Sequence, residues 1–277
     1  MSGWRVVVVT GRSKLDLRYN SISIRRDNGT DFIHIGEVGT LILETTAISI
    51  TAALMCELIN QKVKVIFCDE KSNPHFELLP FYGSHDCSAK IKEQISWTDF
   101  FKESLWTIIV KEKIENQMKL LKKLNKEEYK LLEEYSSQIK HNDSTNREGH
   151  SAKVYSLNAF LNYGYQILLS TFNKEIVANG YLTQIGLFHK NMFNYYNLSS
   201  DLMEPFRVII DELAYKENPQ KFEKDEKRKL QNILNFKYRI NENNHYLSEV
   251  IKIYTKSIFD ALNSNDLSLV RFFTDEL

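Results

Sequence analysis

The hydrophobic period of this chain changes once, and the change falls between Gly83 and Lys90. Before it, apolar residues alternate with polar ones or form short β-branched runs. After it, they recur every three to four positions. A period of two belongs to a half-buried strand and a period of 3.6 to an amphipathic helix. The sequence therefore predicts an α+β protein: a β-rich N-terminal domain over residues 1–86, then an all-α C-terminal domain over residues 87–277. With Gly 10 and Pro 4 among 277 residues, loops should be few and helices long.

Trp4–Thr10, Leu15–Tyr19, Ser21–Arg25, Phe32–Ile35, Leu41–Leu43 and Val63–Cys68 read as strands. Asp27-Asn28-Gly29 supplies a hairpin turn. Thr45 and Thr46 offer N-caps to a helix over 47–61. Glu77–Tyr82 is a last strand or an extended link, and Gly83–Ser88 is the domain boundary. Helical periodicity then runs from Lys90, with a charged helix over 126–140. Phe160–Ala178 follows, its Ile167, Leu168, Phe172 and Ile176 on one face, stopped by Asn179-Gly180. Helices are expected over 184–194, from Pro205 to Lys216, over 221–236 and over 244–263, with Asn197–Ser200 as a connection.

Hydrophobic residues make up 43% and charged residues 26%, and no apolar run is long enough to span a membrane. Cys56, Cys68 and Cys87 have no CxxC spacing, which fits a reducing compartment, so a cytoplasmic location is expected. The formal net charge is zero, so composition gives no argument for nucleic acid.

The chemistry concentrates in residues 186–207, where His189, Lys190, Asp201, Glu204 and Arg207 stand among apolar and aromatic neighbours. Acids and an imidazole in apolar surroundings need partners. A divalent metal is one; a salt bridge or a solvated loop is another. Pro205 disfavours a helical Glu204 and suits the first position of the next helix, which leaves the Glu204 side chain at a helix edge, free to point at another helix. Arg147-Glu148-Gly149 opens an earlier helix, where Glu148 can serve the helix dipole and nothing more.

Several ordered pieces resemble the CRISPR-associated protein one family, most closely its type II branch. They are Gly3–Val8, Leu41–Thr46, Val65–Asp69, Leu79–Gly83, Asn146–His150, Leu161–Tyr165 and Asp201–Arg207, which together cover nearly the whole chain. The resemblance implies a CRISPR adaptation integrase with associated endonuclease activity: a prespacer 3′-hydroxyl attacks a phosphodiester at the repeat border. It implies Glu148, His189 and Glu204 as catalytic ligands of a manganese or magnesium ion, with Asp201 as a fourth or outer acid. Arg147, Lys190 and Arg207 stand beside these ligands and either contact DNA phosphates or form ordinary ion pairs. The implied partners are double-stranded DNA, a second copy of the chain through a β-rich dimerisation domain, CRISPR-associated protein two in a heterohexamer, and type II effector and accessory proteins. A non-catalytic DNA-binding scaffold and a hydrolase of small phosphate esters are the competing readings. One departure stands out. The family pattern has a further segment, on the order of fifteen residues, between the Arg-Glu-Gly helix and Leu161–Tyr165; here Asn158 follows Tyr155 almost directly. The flanks rejoin the pattern without compensation, which favours an omitted loop over a true deletion.

Overall fold

The computed structural model describes residue 3 and residues 5–80, 84–124 and 152–274. The helix expected over 126–140, and Arg147, Glu148 and Gly149, lie outside the described residues.

Among the described residues, eight strands and one α-helix form the N-terminal part. They are β1 (Arg5–Val9), β2 (Ser13–Arg18), β3 (Ser21–Arg26), β4 (Gly29–His34), β5 (Val38–Leu43), β6 (Ile48–Ile50), α1 (Ala52–Asn60), β7 (Lys64–Cys68) and β8 (Pro74–Leu78). One sheet has the order β1-β5-β7-β8, with β1, β5 and β7 parallel and β8 antiparallel. The second has the order β4-β3-β2-β6.

The residue types of β5 explain how the layers stack. All six of its residues are buried. Alternate residues face opposite sides of a sheet. Leu41 and Leu43 join Val7, Val9, Val65 and residues of the second sheet in one core, whereas Ile42 packs with Ile66, Cys68, Val6 and Val8 on the opposite face. A mainly parallel sheet covered on both sides carries such continuous apolar runs. The expected helix over 47–61 starts later, at Ala52. Ile48 and Ile50 also satisfy a period of two, and residues 48–50 pair with β2. Thr51, rather than Thr45 or Thr46, caps α1 by accepting from the Leu54 amide at 3.4 Å.

The C-terminal part comprises α2 (Cys87–Ser96), α3 (Asp99–Lys123), α4 (Ala152–Ala178), α5 (Asn197–Leu202), a 3-10 turn at Glu204–Phe206, α6 (Arg207–Glu217), α7 (Lys224–Gln231), a hairpin of β9 (Lys237–Ile240) and β10 (Asn243–Tyr246), and α8 (Leu247–Ser264). The part is helical as expected; the hairpin is an addition within it. β9 lies just beyond the expected helix over 221–236, and β10 takes up the first residues of the one over 244–263. No described helix is long and apolar enough to cross a membrane.

α4 is the central element. Phe160, Ile167, Leu168, Phe172 and Ile176 are buried against α6, α8 and the segments between them. The helix runs unbroken from Ala152 through the junction at Tyr155–Asn158. The apolar residues Leu157, Phe160 and Leu161 continue the helical period beyond the join.

Gly164 lets α4 approach its neighbours. A Cβ there would lie 2.6 Å from Ile210 Cγ2 and 3.0 Å from Leu230 Cδ2. Gly164→Ala should therefore destabilise the protein by ~1–3 kcal/mol through overpacking, read as a lowered denaturation midpoint. An unchanged midpoint would mean that the α4–α6–α7 contact is looser than described.

Candidate functional site

Residues 181–196 form an irregular loop where a helix is expected over 184–194, and the following helix begins at Asn197, where a connection is expected. Side chains take the place of the helical hydrogen bonds. Asp201 Oδ2 accepts from the amides of Leu187 at 2.6 Å and Phe188 at 3.0 Å, and Oδ1 from the His189 amide at 3.2 Å. Asn197 donates to the carbonyls of Gln184 and Asn191, each at 3.0 Å. Asn191 and Asn194 accept from the amides two residues on, at 2.9 Å in both cases. Gln94 of α2 donates to the carbonyls of Leu182 and Ile185. Gly186 admits the Asp201 carboxylate: a Cβ there would meet His189 O at 2.5 Å and Asp201 Oδ2 at 2.7 Å.

The loop presents His189. Its Nδ1 lies 2.5 Å from Asp201 Oδ1, and its side chain is 39% exposed while that of Asp201 is fully buried. Trp106 of α3 stacks on Phe188 with 4.7 Å between centroids and meets the His189 ring edge-on. The bond to Asp201 raises the imidazole's proton affinity above the ordinary value, against the opposing effect of partial burial. Glu204 also favours the imidazolium electrostatically.

Glu204 sits at the start of the 3-10 turn, as Pro205 predicts, and points at α3. Its Oε1 accepts from Arg207 Nε at 2.8 Å. Its Oε2 lies 2.6 Å from Lys113 Nζ, in an orientation that makes no hydrogen bond of regular angle. The ammonium charge is thus what compensates that buried oxygen. Beneath lies Tyr254 of α8, fully buried; its hydroxyl finds no hydrogen-bond partner among the described residues. Burial, then the nearby Glu112, Asp201 and Glu204, push its pKa well above the ordinary value.

The structure thus brings His189, Asp201 and Glu204 together. Asp201 spends both oxygens on the loop amides and the imidazole. Arg207 pairs with Glu204, and its guanidinium lies 4.8 Å from the Tyr165 ring centre. Lys190 is exposed on the loop. Sequence reasoning missed Lys113 and Trp106, whose partners stand some ninety residues away in the chain. The one signal was that Lys113 and Asn116, three apart, share a face of α3, and Asn116 donates to the Pro205 carbonyl at 3.4 Å.

The donors present fit a divalent cation. With Nδ1 held on the Asp201 carboxylate, Nε2 is the ring nitrogen left to face a ligand. The Glu204 carboxylate already gathers two cations. Among the described residues no cluster of three His, Cys, Asp or Glu is poised to hold a metal, so any third ligand comes from elsewhere.

A family model described as CRISPR associated protein Cas1 matches residues 6–156 and 144–239. The chain belongs to the Cas1 family. The two matches overlap at 144–156, around the start of α4. The CRISPR-associated endonuclease Cas1 of Neisseria meningitidis serogroup C (strain 8013) is 27% identical over 224 residues, 75% of this chain and 74% of the relative. CRISPR-associated endonuclease Cas1 1 of Pyrobaculum aerophilum is 25% identical over 249 residues, 77% of this chain and 82% of the relative. Among solved structures, a casposase bound to integration product has a TM-score of 0.73 at 17% identity, covering 96% of this chain and 92% of the casposase. A Cas1 protein from Thermotoga maritima has a TM-score of 0.68 at 14% identity, with 93% and 97% covered. A Cas6-RT-Cas1–Cas2 complex contains a longer chain with a TM-score of 0.71 at 14% identity, covering 97% of this chain and 36% of that one. These likenesses show the fold.

In the metal-free protein, His189 should titrate above 6.5. Asp201→Asn removes the charge that favours the imidazolium, and the remaining burial should bring the value down. An NMR pH titration of the His189 ring checks this; identical titrations in both proteins would mean that Asp201 does not set its proton affinity.

Proposed function

We propose that this chain is a metal-dependent CRISPR adaptation integrase. It would join the 3′-hydroxyl ends of prespacer DNA to phosphodiesters at the repeat border and nick DNA at the same site with water as nucleophile. The observation that carries this reading is the Asp201-anchored His189 beside Glu204, in a chain of the Cas1 family. When bound, a manganese or magnesium ion would polarise the scissile phosphate and lower the attacking hydroxyl's pKa. His189 would hold it through Nε2 and Glu204 through its carboxylate. Asp201 keeps the imidazole in the ligating tautomer and orientation. Lys113 and Arg207, which compensate Glu204 in the metal-free site, are the cations nearest a bound phosphate.

Glu148 is the proposed third ligand, on the strength of the resemblance, and Arg147 is a proposed phosphate contact on the same grounds. A second reading is a DNA-binding scaffold of the adaptation complex whose acids are structural; the pairing of Glu204 with both Lys113 and Arg207 is what a structural acid would show.

DNA and a Cas2-type protein are the proposed partners, supported by what the similar structures contain. Effector and accessory proteins of a type II system belong to the same reading, with the cytoplasm of a prokaryote as the location. The β-rich residues 1–86 are proposed to dimerise; β4 offers an exposed edge with Phe32 55% exposed. Exposed Lys190 is a proposed phosphate contact.

Strand transfer into a repeat-bearing DNA with manganese decides between the readings. His189→Ala, Glu204→Ala and Glu148→Ala should each lower the rate by more than the roughly 10–100-fold that outer-shell partners of metal ligands cost, with DNA binding retained. Undiminished transfer by the Glu148 variant alone would remove that residue from the site. Absence of transfer by the unmodified chain together with its Cas2 partner, with DNA binding intact, would establish the scaffold.

A further inference from the structure

One buried polar chain runs across the molecule without touching the site. It begins at Lys64 of β7, 3% exposed, whose ammonium pairs with Glu77 of β8. Burial, outweighing the attraction to Glu77, lowers the Lys64 pKa to about 8. Both oxygens of Glu77 continue into α4. Oε2 accepts from Ser170 Oγ at 2.8 Å, and Oε1 from Asn173 Nδ2 at 3.2 Å. Asn173 is itself buried, and its Oδ1 accepts from Ser199 Oγ of α5. Ser199 is fully buried and stands two residues before Asp201.

Apolar packing alone would hold these elements together, and buried ion pairs are often replaceable by apolar residues without loss of stability. A fully satisfied polar chain adds a defined geometry. The element it defines is α5. Six residues are too few to make a helix that stands by itself. Leu198 and Leu202 bury it but tolerate small slides and rotations. The same short helix carries Asn197 and Asp201, which between them fasten the loop at residues 184, 187, 188, 189 and 191. A small shift of α5 is therefore a shift of the whole His189 loop.

We infer that Asn173, backed by the Lys64–Glu77 pair, is a positioning residue that fixes α5 against the β1-β5-β7-β8 sheet and so holds Asp201 and the His189 loop in register. Its importance for metal binding rests on the site reading above; its effect on the loop does not. The sheet thus belongs to the support of the site, through one asparagine in the middle of α4.

The amides of Leu187, Phe188 and His189 report this register, because all three donate to Asp201. In Asn173→Leu they should exchange with solvent hydrogen about tenfold faster, the loss of about one net hydrogen bond, beyond any change at the β5 amides. Ser199→Ala should give the same pattern to a smaller extent. Ser170→Ala, which touches Glu77 but not α5, should leave the three amides in step with β5. Manganese affinity of the full chain, read from the paramagnetic resonance of the free ion, should fall in Asn173→Leu on the order of tenfold. Failure of the unmodified chain to bind manganese would refute the metal reading and leave the exchange result standing. Equal acceleration at β5 and at the loop, or no acceleration, would overturn the positioning role. If Asn173→Leu does not fold, Ser199→Ala decides by the same comparison.

Discussion

The carboxylate of Asp201 is the interaction on which the rest of this site depends. It is fully buried, and it meets three backbone amides and one imidazole. A buried carboxylate without donors would be too costly to keep ionised. Here the donors come from a stretch of chain that gives up its own helical hydrogen bonds to provide them. The exchange explains several local facts together. The loop is irregular because its amides point at one side chain, and residue 186 is glycine because the carboxylate occupies the volume a Cβ would fill. The imidazole protrudes because its Nδ1 is tethered below. A charge-assisted hydrogen bond of this kind also orients the ring more firmly than a neutral one.

Periodic elements were legible in the sequence because their hydrogen bonds are local. The strands at Arg5–Val9 and Lys64–Cys68, the Leu41–Leu43 half of β5 and the helix through Phe160–Ala178 follow from residue pattern, and Pro205 gives the position of Glu204 at a helix edge. The His189 loop was not legible. Residues Gln184–Asn194 have a composition compatible with a helix, and the competing acceptor stands at position 201, beyond the reach of any periodicity argument. The same limit hid Lys113 and Trp106, which meet the site from α3. It also hid Asn173, an unremarkable polar residue within an apolar helix until its partners on β8 and α5 are seen. The choice of His189 and Glu204 as a pair comes from the ordered family resemblance, since spacing alone leaves the salt bridge or solvated loop ahead of a metal.

At the start of α4 the chain forms a continuous helix through Tyr155–Asn158, with Leu157, Phe160 and Leu161 keeping the helical period. Spacing alone does not foresee this continuity, because the family pattern places a further segment there.

Charge completes the picture. The chain is neutral overall, and the basic residues closest to the acids are already committed: Arg207 to Glu204 and Tyr165, Lys113 to Glu204. A nucleic acid approaching this face meets cations already held by Glu204, and affinity for phosphate cannot rest on this protomer's net charge. On the proposed reading, Glu204 would turn to a divalent ion, and Lys113 and Arg207 would then be free for phosphate oxygens. Anion binding at this site would then depend on the ion through charge redistribution as well as through coordination. This coupling requires no movement of the backbone, since Asp201 already holds His189 in place and the polar chain through Asn173 already holds Asp201.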